Sequence, residues 1–241
     1  MRADESWANL NDMNIAGFQS LSLMDFPGKS CSIVFTQGCP FRCPYCHNPE
    51  LIPLKGQTQI TEETILHYLM EHRKMLDGVC ITGGEPTIHV GLRAFIEKVK
   101  DLGLLVKLDT NGISPAFVAS CIADGIVDYF AMDLKHTWGK YQEIIRAGGA
   151  KTVENCQKTF KLIQESGTGH EFRTTLCPGI HTEADFFEMA SYLKEGETYF
   201  LQETQFKKTL DKNITRETQI HADDLVLKLQ QAFPKLLIEA R

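Results

Sequence analysis

Short runs rich in β-branched and aromatic residues alternate along this chain with longer stretches in which apolar residues recur every three or four positions. A two-residue period that repeatedly gives way to a helical one is the pattern of βα units wound around a parallel sheet. Six runs read as strands: CSIVFTQ (31–37), GVCITGG (78–84), LLVKLDT (104–110), VDYFAMDLK (127–135), EFRTTL (171–176) and TYFLQET (198–204). Helices are predicted between them. In ITEETILHYLMEHRKML, Thr61 stands as a cap with acidic residues in the first turn, and further on Ile88, Leu92, Phe95, Ile96 and Val99 recur at helical spacing. Ser114 followed by Pro115 marks another helix start, as does Thr182 with Asp185 three residues later; the last helix, near ADDLVLKLQQAF, is stopped by Pro234.

In a parallel βα array each strand leaves the sheet at its carboxyl end, so residues there converge on one rim. The chemically distinctive residues all fall on that rim. Cys39, Cys43 and Cys46 follow the first predicted strand, GGEPT the second and DTNG the third, while MDLK ends the fourth and Arg173 lies within the fifth. A random scatter of polar groups would not gather on one edge.

Length and composition narrow the picture. At 241 residues and 43% hydrophobic content there is room for one sizeable α/β domain. We expect it to occupy residues 13–241, behind a flexible polar leader of residues 1–12, with Met13 a candidate natural start. No apolar run approaches the ~18 residues that a membrane-spanning helix needs. The leader lacks the basic and apolar regions of a signal peptide, so a soluble, cytoplasmic protein is expected. A net charge of -6 without a long Lys/Arg cluster argues against a nucleic-acid surface and leaves a small molecule or another protein as substrate.

Eight cysteines in such a chain do not read as a disulfide scaffold. Cys31, Cys80, Cys121, Cys156 and Cys177 are scattered and read as small buried hydrophobes. The other three crowd into FTQGCPFRCPYCHNPEL (35–51) at the spacing C-x3-C-x2-C. Thiolates at that density point to a soft metal, either zinc or iron-sulfur. Structural zinc takes four protein ligands; there is no second cysteine pair, and His47, next to Cys46, could serve only by severe local distortion. A 4Fe-4S cluster on three cysteines leaves one iron open to the amino and carboxylate groups of a cofactor.

CPFRCPYCHN is similar to the C-x3-C-x-aromatic-C signature of radical S-adenosylmethionine (SAM) enzymes, and the likeness runs from about Asn14 to the end of the sixth predicted strand. It implies a partial (β/α)6 barrel of radical SAM type, with Cys39, Cys43 and Cys46 as metal ligands and catalytic residues. It also implies reductive cleavage of SAM to methionine and a 5'-deoxyadenosyl radical. Gly83 and Gly84 let backbone approach a ligand closely, and Glu85 with Pro86 turns the chain; by resemblance this segment receives the cofactor's amino group. Asp109, Thr110 and Asn111, and Asp133, Leu134 and Lys135, look like the segments of glycyl radical enzyme activases in which two aspartates organise a monovalent cation. As residues alone these carboxylates also read as capping or solvated groups. Arg173 matches the arginine that pairs with the cofactor carboxylate, against the alternative of a surface ion pair. Tyr45 and His47 resemble residues at the adenine end, Tyr45 alternatively shielding the cluster. The sixth strand carries Gln202 where activases can have a histidine.

SLMDFPG, ahead of the cysteines, resembles the activase leader S-x-x-D-G-P-G, with Phe26 in place of its glycine. Asp25 would help to position a target backbone, or serve as the turn residue before Pro27. LMDFPG together with FTQGCPFRCPYCHNP is most similar to the longer group of anaerobic ribonucleoside-triphosphate reductase activating proteins. That implies hydrogen abstraction from a glycine of the reductase and a transient protein complex. With no extra cysteine pairs for auxiliary clusters, it implies electrons from flavodoxin or ferredoxin. The alternatives are activation of another glycyl radical enzyme such as pyruvate formate-lyase, a small-molecule radical enzyme such as a deazapurine synthase, and an iron-sulfur electron carrier.

Overall fold

The computed structural model describes residues 13–56, 60–214 and 220–241. The predicted leader, residues 1–12, lies outside the described residues. Among the described residues eight strands form one sheet in chain order, β1 through β8, with only β1 antiparallel to its neighbour. The six predicted strands are β2 (Cys31–Thr36), β3 (Gly78–Gly83), β4 (Leu105–Thr110), β5 (Tyr129–Asp133), β6 (Gly169–Leu176) and β7 (Thr198–Glu203). Two strands exceed the expectation of six. β1 (Ile15–Ser22) has half-exposed positions instead of a clean alternation, and β8 (Leu237–Ala240) is only four residues long, so neither carries a period that stands out. β1 and β8 do not pair, which leaves the sheet open as a partial barrel.

The helices cover one face. They are α1 (Glu62–His72), α2 (Leu92–Asp101), α3 (Pro115–Asp124), α4 (Tyr141–Ile145), α5 (Ala150–Glu165), α6 (Glu183–Ala190) and α7 (Ala222–Ala232). Ile88, expected to share the apolar period of α2, sits instead in a short 3-10 turn after Pro86, whose fixed φ favours that turn. Val106, Leu108, Phe130, Met132 and Phe172 point from the sheet towards Ile65, Phe95, Val118, Phe160 and Ile163 in one continuous core. The opposite face is apolar at the amino ends of its strands, where Phe26, Cys31, Ile33 and Cys80 cluster with Phe35, Leu105 and Tyr129. At the carboxyl ends it turns charged. Because side chains alternate faces along a strand, Lys107 and Asp109, Asp133, and Glu171 and Arg173 all share this concave face. The five scattered cysteines are buried and free, as expected.

Helix starts vary in strength. Thr182 and Asp185 form a reciprocal capping box on α6, with Thr182 N–H donating to Asp185 Oδ2 at 2.8 Å and Asp185 N–H to Thr182 Oγ1 at 3.3 Å. Thr61 caps α1 by accepting from Thr64 N–H. Ser114 makes no such bond; its hydroxyl donates instead to the Thr87 carbonyl at 3.4 Å, tying α3 to the turn after β3. Thr182→Ala should therefore lower stability by about 1 kcal/mol, and Ser114→Ala by less than about 0.5 kcal/mol. Urea unfolding followed by circular dichroism reads both; equal losses would contradict the assignment of the caps.

Candidate active site

A cavity of about 280 Å3 opens where β2 to β7 end, and the three clustered cysteines line it. The loop that carries them is held from several sides. Cys39 N–H donates to the Ile52 carbonyl (3.1 Å) and Gly38 N–H to that of Leu51 (2.7 Å), while Cys46 N–H closes a turn on Cys43 (3.0 Å). Arg42 N–H reaches the Ile145 carbonyl (2.8 Å), and Pro44 accepts from Asp211 N–H (2.9 Å). Tyr45, buried in this loop, donates its hydroxyl to the Lys135 carbonyl at 2.8 Å. His47 accepts the Gln205 N–H at its Nε2 (3.0 Å), so the loop after β7 also holds it.

No cysteine is in a disulfide. Burial pushes the Cys39 thiol up to about 12, with Glu85 adding to it, and the Cys43 thiol to about 11 against the opposing pull of Lys135. Cys46 is raised as well, again by burial. Buried thiols that keep their protons in the absence of metal lose them to solvent when a metal cation binds the sulfur, and the Lys135 ammonium favours negative charge on all three sulfurs. A single zinc ion fits poorly. Among the described residues no three His, Cys, Asp or Glu side chains converge on one metal position, and Nε2 of His47 is already engaged. A cluster binds each cysteine to a different iron and so needs sulfurs further apart than one ion does; the three thiols around one cavity fit that group.

The second rim segment packs against the first. A Cβ on Gly84 would lie 2.1 Å from the Gly38 carbonyl oxygen, and one on Gly83, whose φ is +112°, 2.4 Å from Thr36 N. The glycines expected to admit a ligand thus admit, first of all, the backbone that leads into Cys39. Gly84 N–H and Glu85 N–H then donate to the Thr36 and Gly38 carbonyls, at 2.9 and 2.8 Å. The Glu85 carboxylate, fully buried, accepts from the N–H and hydroxyl of Thr87 (3.1 and 2.5 Å), the Thr110 hydroxyl (2.8 Å) and Asn111 N–H (2.7 Å). It fastens the turn after β3 to the turn after β4. Burial raises its pKa, and these four donors partly restore the ionised form.

Five charges alternate across β4, β5 and β6. Lys107 Nζ lies 2.5 Å from Asp109 Oδ1, and Asp109 Oδ2 is 3.0 Å from Arg173 Nη1. Arg173 Nε is 3.1 Å from Asp133 Oδ1, whose other oxygen is 2.9 Å from Lys135 Nζ. Burial works against ionised Asp109, but Arg173 and Lys107 overcome it and hold its carboxyl at about 2; Asp133 is lowered in the same way by Lys135 and Arg173. Arg173 is no surface ion pair: its side chain is 11% exposed. Behind it Glu171 accepts from Tyr129 and Arg241, at 3.2 and 3.3 Å.

The structure therefore gathers Asp25, Cys39, Cys43, Tyr45, Cys46, His47, Gly83, Gly84, Glu85, Asp109, Thr110, Asn111, Asp133, Lys135 and Arg173 around one cavity. Leu134 does not join them; it is buried in the helix-side core because its neighbours Asp133 and Lys135 take the concave face. Gln202 lines the cavity at the end of β7, beside Thr175. Lys107 was missed. Its signal was available, since a lysine in the apolar run LLVKLDT must find a carboxylate if that strand is buried. Glu85→Ala should cost about 3 kcal/mol or more by stranding buried donors, measured by urea unfolding; a loss below about 1 kcal/mol would show the turns to be independent. Asp109, depressed from 3.8 to about 2, contributes stability that is complete above about pH 4 and disappears as pH falls towards 2. Metal-free protein should show that acid limb in its unfolding, and Asp109→Asn should flatten it.

Over residues 33–193 the chain matches the Radical SAM superfamily. It is 30% identical over 205 residues to the "putative glycyl-radical enzyme activating enzyme" of Methanocaldococcus jannaschii, covering 84% of each chain. To the pyruvate formate-lyase-activating enzyme of Clostridium pasteurianum it is 32% identical over 154 residues, covering 62% of this chain and 63% of that one. Among solved structures, a radical SAM methyltransferase from Sphaerobacter thermophilus gives a TM-score of 0.62 at 14% identity, covering 92% of this chain and 68% of that one. QueE from Escherichia coli gives 0.51 at 15% identity, covering 96% and 92%. At such identities the structural likeness is one of fold. No described helix is long and apolar enough to cross a membrane. With three free cysteines on one cavity at the rim of an open parallel sheet, this chain belongs to the radical SAM superfamily and, within it, to the glycyl-radical enzyme activating enzymes.

Proposed function

We propose that this chain makes a glycyl radical on an anaerobic ribonucleotide reductase, with Cys39, Cys43 and Cys46 holding a 4Fe-4S cluster and SAM bound beside it. The observation that carries the proposal is the meeting, in one cavity, of three free thiols with a buried charge row that ends in Lys135 beside them. When bound, the cluster supplies the electron that cleaves SAM. The residues of the chain bind and orient. Arg173 and Lys135 present cationic edges to a carboxylate, Asp109 and Asp133 present oxygens to ribose hydroxyls or to a monovalent cation, and the backbone at Gly83 to Glu85 receives an amino group. All four oxygens of the two aspartates already face Lys107, Arg173 or Lys135, so a cation there shares them with these side chains. Tyr45 has its hydroxyl committed to Lys135, which favours a shielding role over contact with adenine.

The target reading rests on the leader. Phe26, which stands where activases often have glycine, is buried against Tyr129 with ring centroids 5.9 Å apart. Asp25 lines the cavity and accepts from the Ser22 hydroxyl at 2.5 Å, so it is held at the entrance a target backbone would use. A second reading, activation of pyruvate formate-lyase, is favoured by the similarity to the Clostridium pasteurianum enzyme. Anaerobic reconstitution, reduction, and addition of SAM with each candidate target decides between them. We expect 5'-deoxyadenosine together with a glycyl doublet in the electron paramagnetic resonance spectrum of the reductase. A doublet on pyruvate formate-lyase alone would move the target; 5'-deoxyadenosine without any doublet would remove the protein target.

Two variants test the site. Cys43→Ala should lose the brown cluster and SAM cleavage together. Arg173→Ala should keep the colour and bind SAM at least about tenfold more weakly by equilibrium dialysis. Unchanged affinity would take Arg173 out of the binding set.

A further inference from the structure

Three cations hold the two aspartates, but they do not stand in the same place. Arg173 and Lys135 line the cavity together with Asp109 and Asp133, and Lys107 is not among its lining residues. Lys107 rises from the apolar end of the concave face, where Leu105, two residues before it on β4, packs with Phe26, Ile33 and Cys80. Strand pairing sets it between Cys80 on β3 and Tyr129 on β5. Its buried ammonium meets Asp109 Oδ1 at 2.5 Å and the Cys80 sulfur at 3.9 Å, and that thiol lies 3.8 Å from the same carboxylate oxygen. The other three aspartate oxygens face side chains of the cavity wall: Asp109 Oδ2 faces Arg173 Nη1, Asp133 Oδ1 faces Arg173 Nε and Asp133 Oδ2 faces Lys135 Nζ. Arg173 is further shared with Glu171, 4.0 Å from its Nη1. Lys107 and Asp109 stand two residues apart on one strand, so their pair ties no strand to another. What it brings to the site is charge.

We propose that Lys107 is a built-in counter-charge for Asp109, and that the two-aspartate site therefore works without a free monovalent cation, its oxygens being left to hydroxyl groups. The inference rests on the reading that Arg173 and Lys135 receive a ligand carboxylate. Those two side chains then divide their donors between ligand and aspartates, which loosens their hold on Asp109 and Asp133 when the site is filled. Lys107 is not divided in this way, because it lies outside the cavity wall. A carboxylate largely withdrawn from water needs such a lasting partner to stay ionised, and a tethered ammonium supplies one with no ion drawn from solution. A free cation, by contrast, finds none of the four oxygens open, since each already faces an ammonium or guanidinium nitrogen at 2.5 to 3.1 Å. It would also add its charge beside three that are fixed there. Lys107 is a positioning residue: it touches no ligand and acts through Asp109. A lysine that served only to stiffen β4 would leave the response of the site to different salts unaltered.

The test compares choline, sodium and potassium chloride at one ionic strength, with SAM binding to cluster-reconstituted protein measured by equilibrium dialysis. The wild-type dissociation constant should agree within about twofold in all three salts. Lys107→Gln frees Asp109 Oδ1 and adds an amide oxygen, so it should bind SAM at least about tenfold more weakly in choline chloride and recover at least about fivefold in sodium or potassium chloride. Lys107→Arg keeps the charge and should be as indifferent to the salt as the wild type. A wild-type dissociation constant that falls about fivefold or more when sodium or potassium replaces choline overturns the inference. So does a Lys107→Gln protein that is as tight as the wild type in choline, or equally weak in all three salts. Should Lys107→Gln fail to fold, the wild type and Lys107→Arg carry the test, and a sodium or potassium requirement in either overturns it. Urea unfolding of the metal-free wild type gives a reading that needs neither cluster nor SAM: its midpoint should be the same in the three salts, and a rise specific to sodium or potassium counts against the built-in charge. Wild-type protein that binds SAM in no salt is a separate failure, that of the proposed function, and the unfolding series still decides this inference.

Discussion

Two carboxylates largely withdrawn from water stay ionised when cations are built in around them, and here Asp109 and Asp133 stand between Lys107, Arg173 and Lys135. A buried charge that loses its partner costs several kcal/mol, so each of the five fixes the position of its neighbours. The row crosses three strands, which makes the rim of β4, β5 and β6 one rigid piece instead of three loop starts. Such a row is a poor way to gain stability, since well-packed apolar residues would do as well. Its presence on the concave face alone, beside the cysteines and opposite the ordinary apolar core, marks it as part of the site.

The Glu85 carboxylate extends the rigidity to the ends of β2 and β3. Its four donors come from the turn after β3 and the turn after β4, while the adjoining glycines rest on the backbone that leads into Cys39. Tyr45 and His181 both donate to the Lys135 carbonyl, from the loops after β2 and β6, so the lysine nearest the thiols is held through its main chain as well as its side chain. The site is therefore preorganised by contacts that face away from it.

This arrangement gives the cysteine loop two sides with different chemistry. Its inner side shares a cavity with the charge row; its outer side is fastened by backbone bonds from Arg42 to Ile145 and from Asp211 to Pro44.

Much of this was legible in the sequence for reasons of local physics. Apolar patterns and caps identified β2 to β7 and the helices α1, α2, α3, α6 and α7, since burial on one face forces the pattern directly, whereas α4 and α5 were not singled out. The spacing of Cys39, Cys43 and Cys46, and the placement of GGEP, DTNG and MDLK after strands, put the candidate residues on one rim through topology alone. β1 and β8 were not legible, because an edge strand pairs on one side and need not alternate. Nor was the partner of any charge. Whether Arg173 lay on the surface or inside, whether Glu85 faced a ligand or a neighbouring turn, and that Lys107 joins the site at all depend on which strands lie side by side. The chain by itself determined which residues reach the rim, because that follows from periodicity along one strand. Only the tertiary structure decided which charges meet there, because pairing across strands is set by the register of a sheet whose neighbours are tens of residues apart.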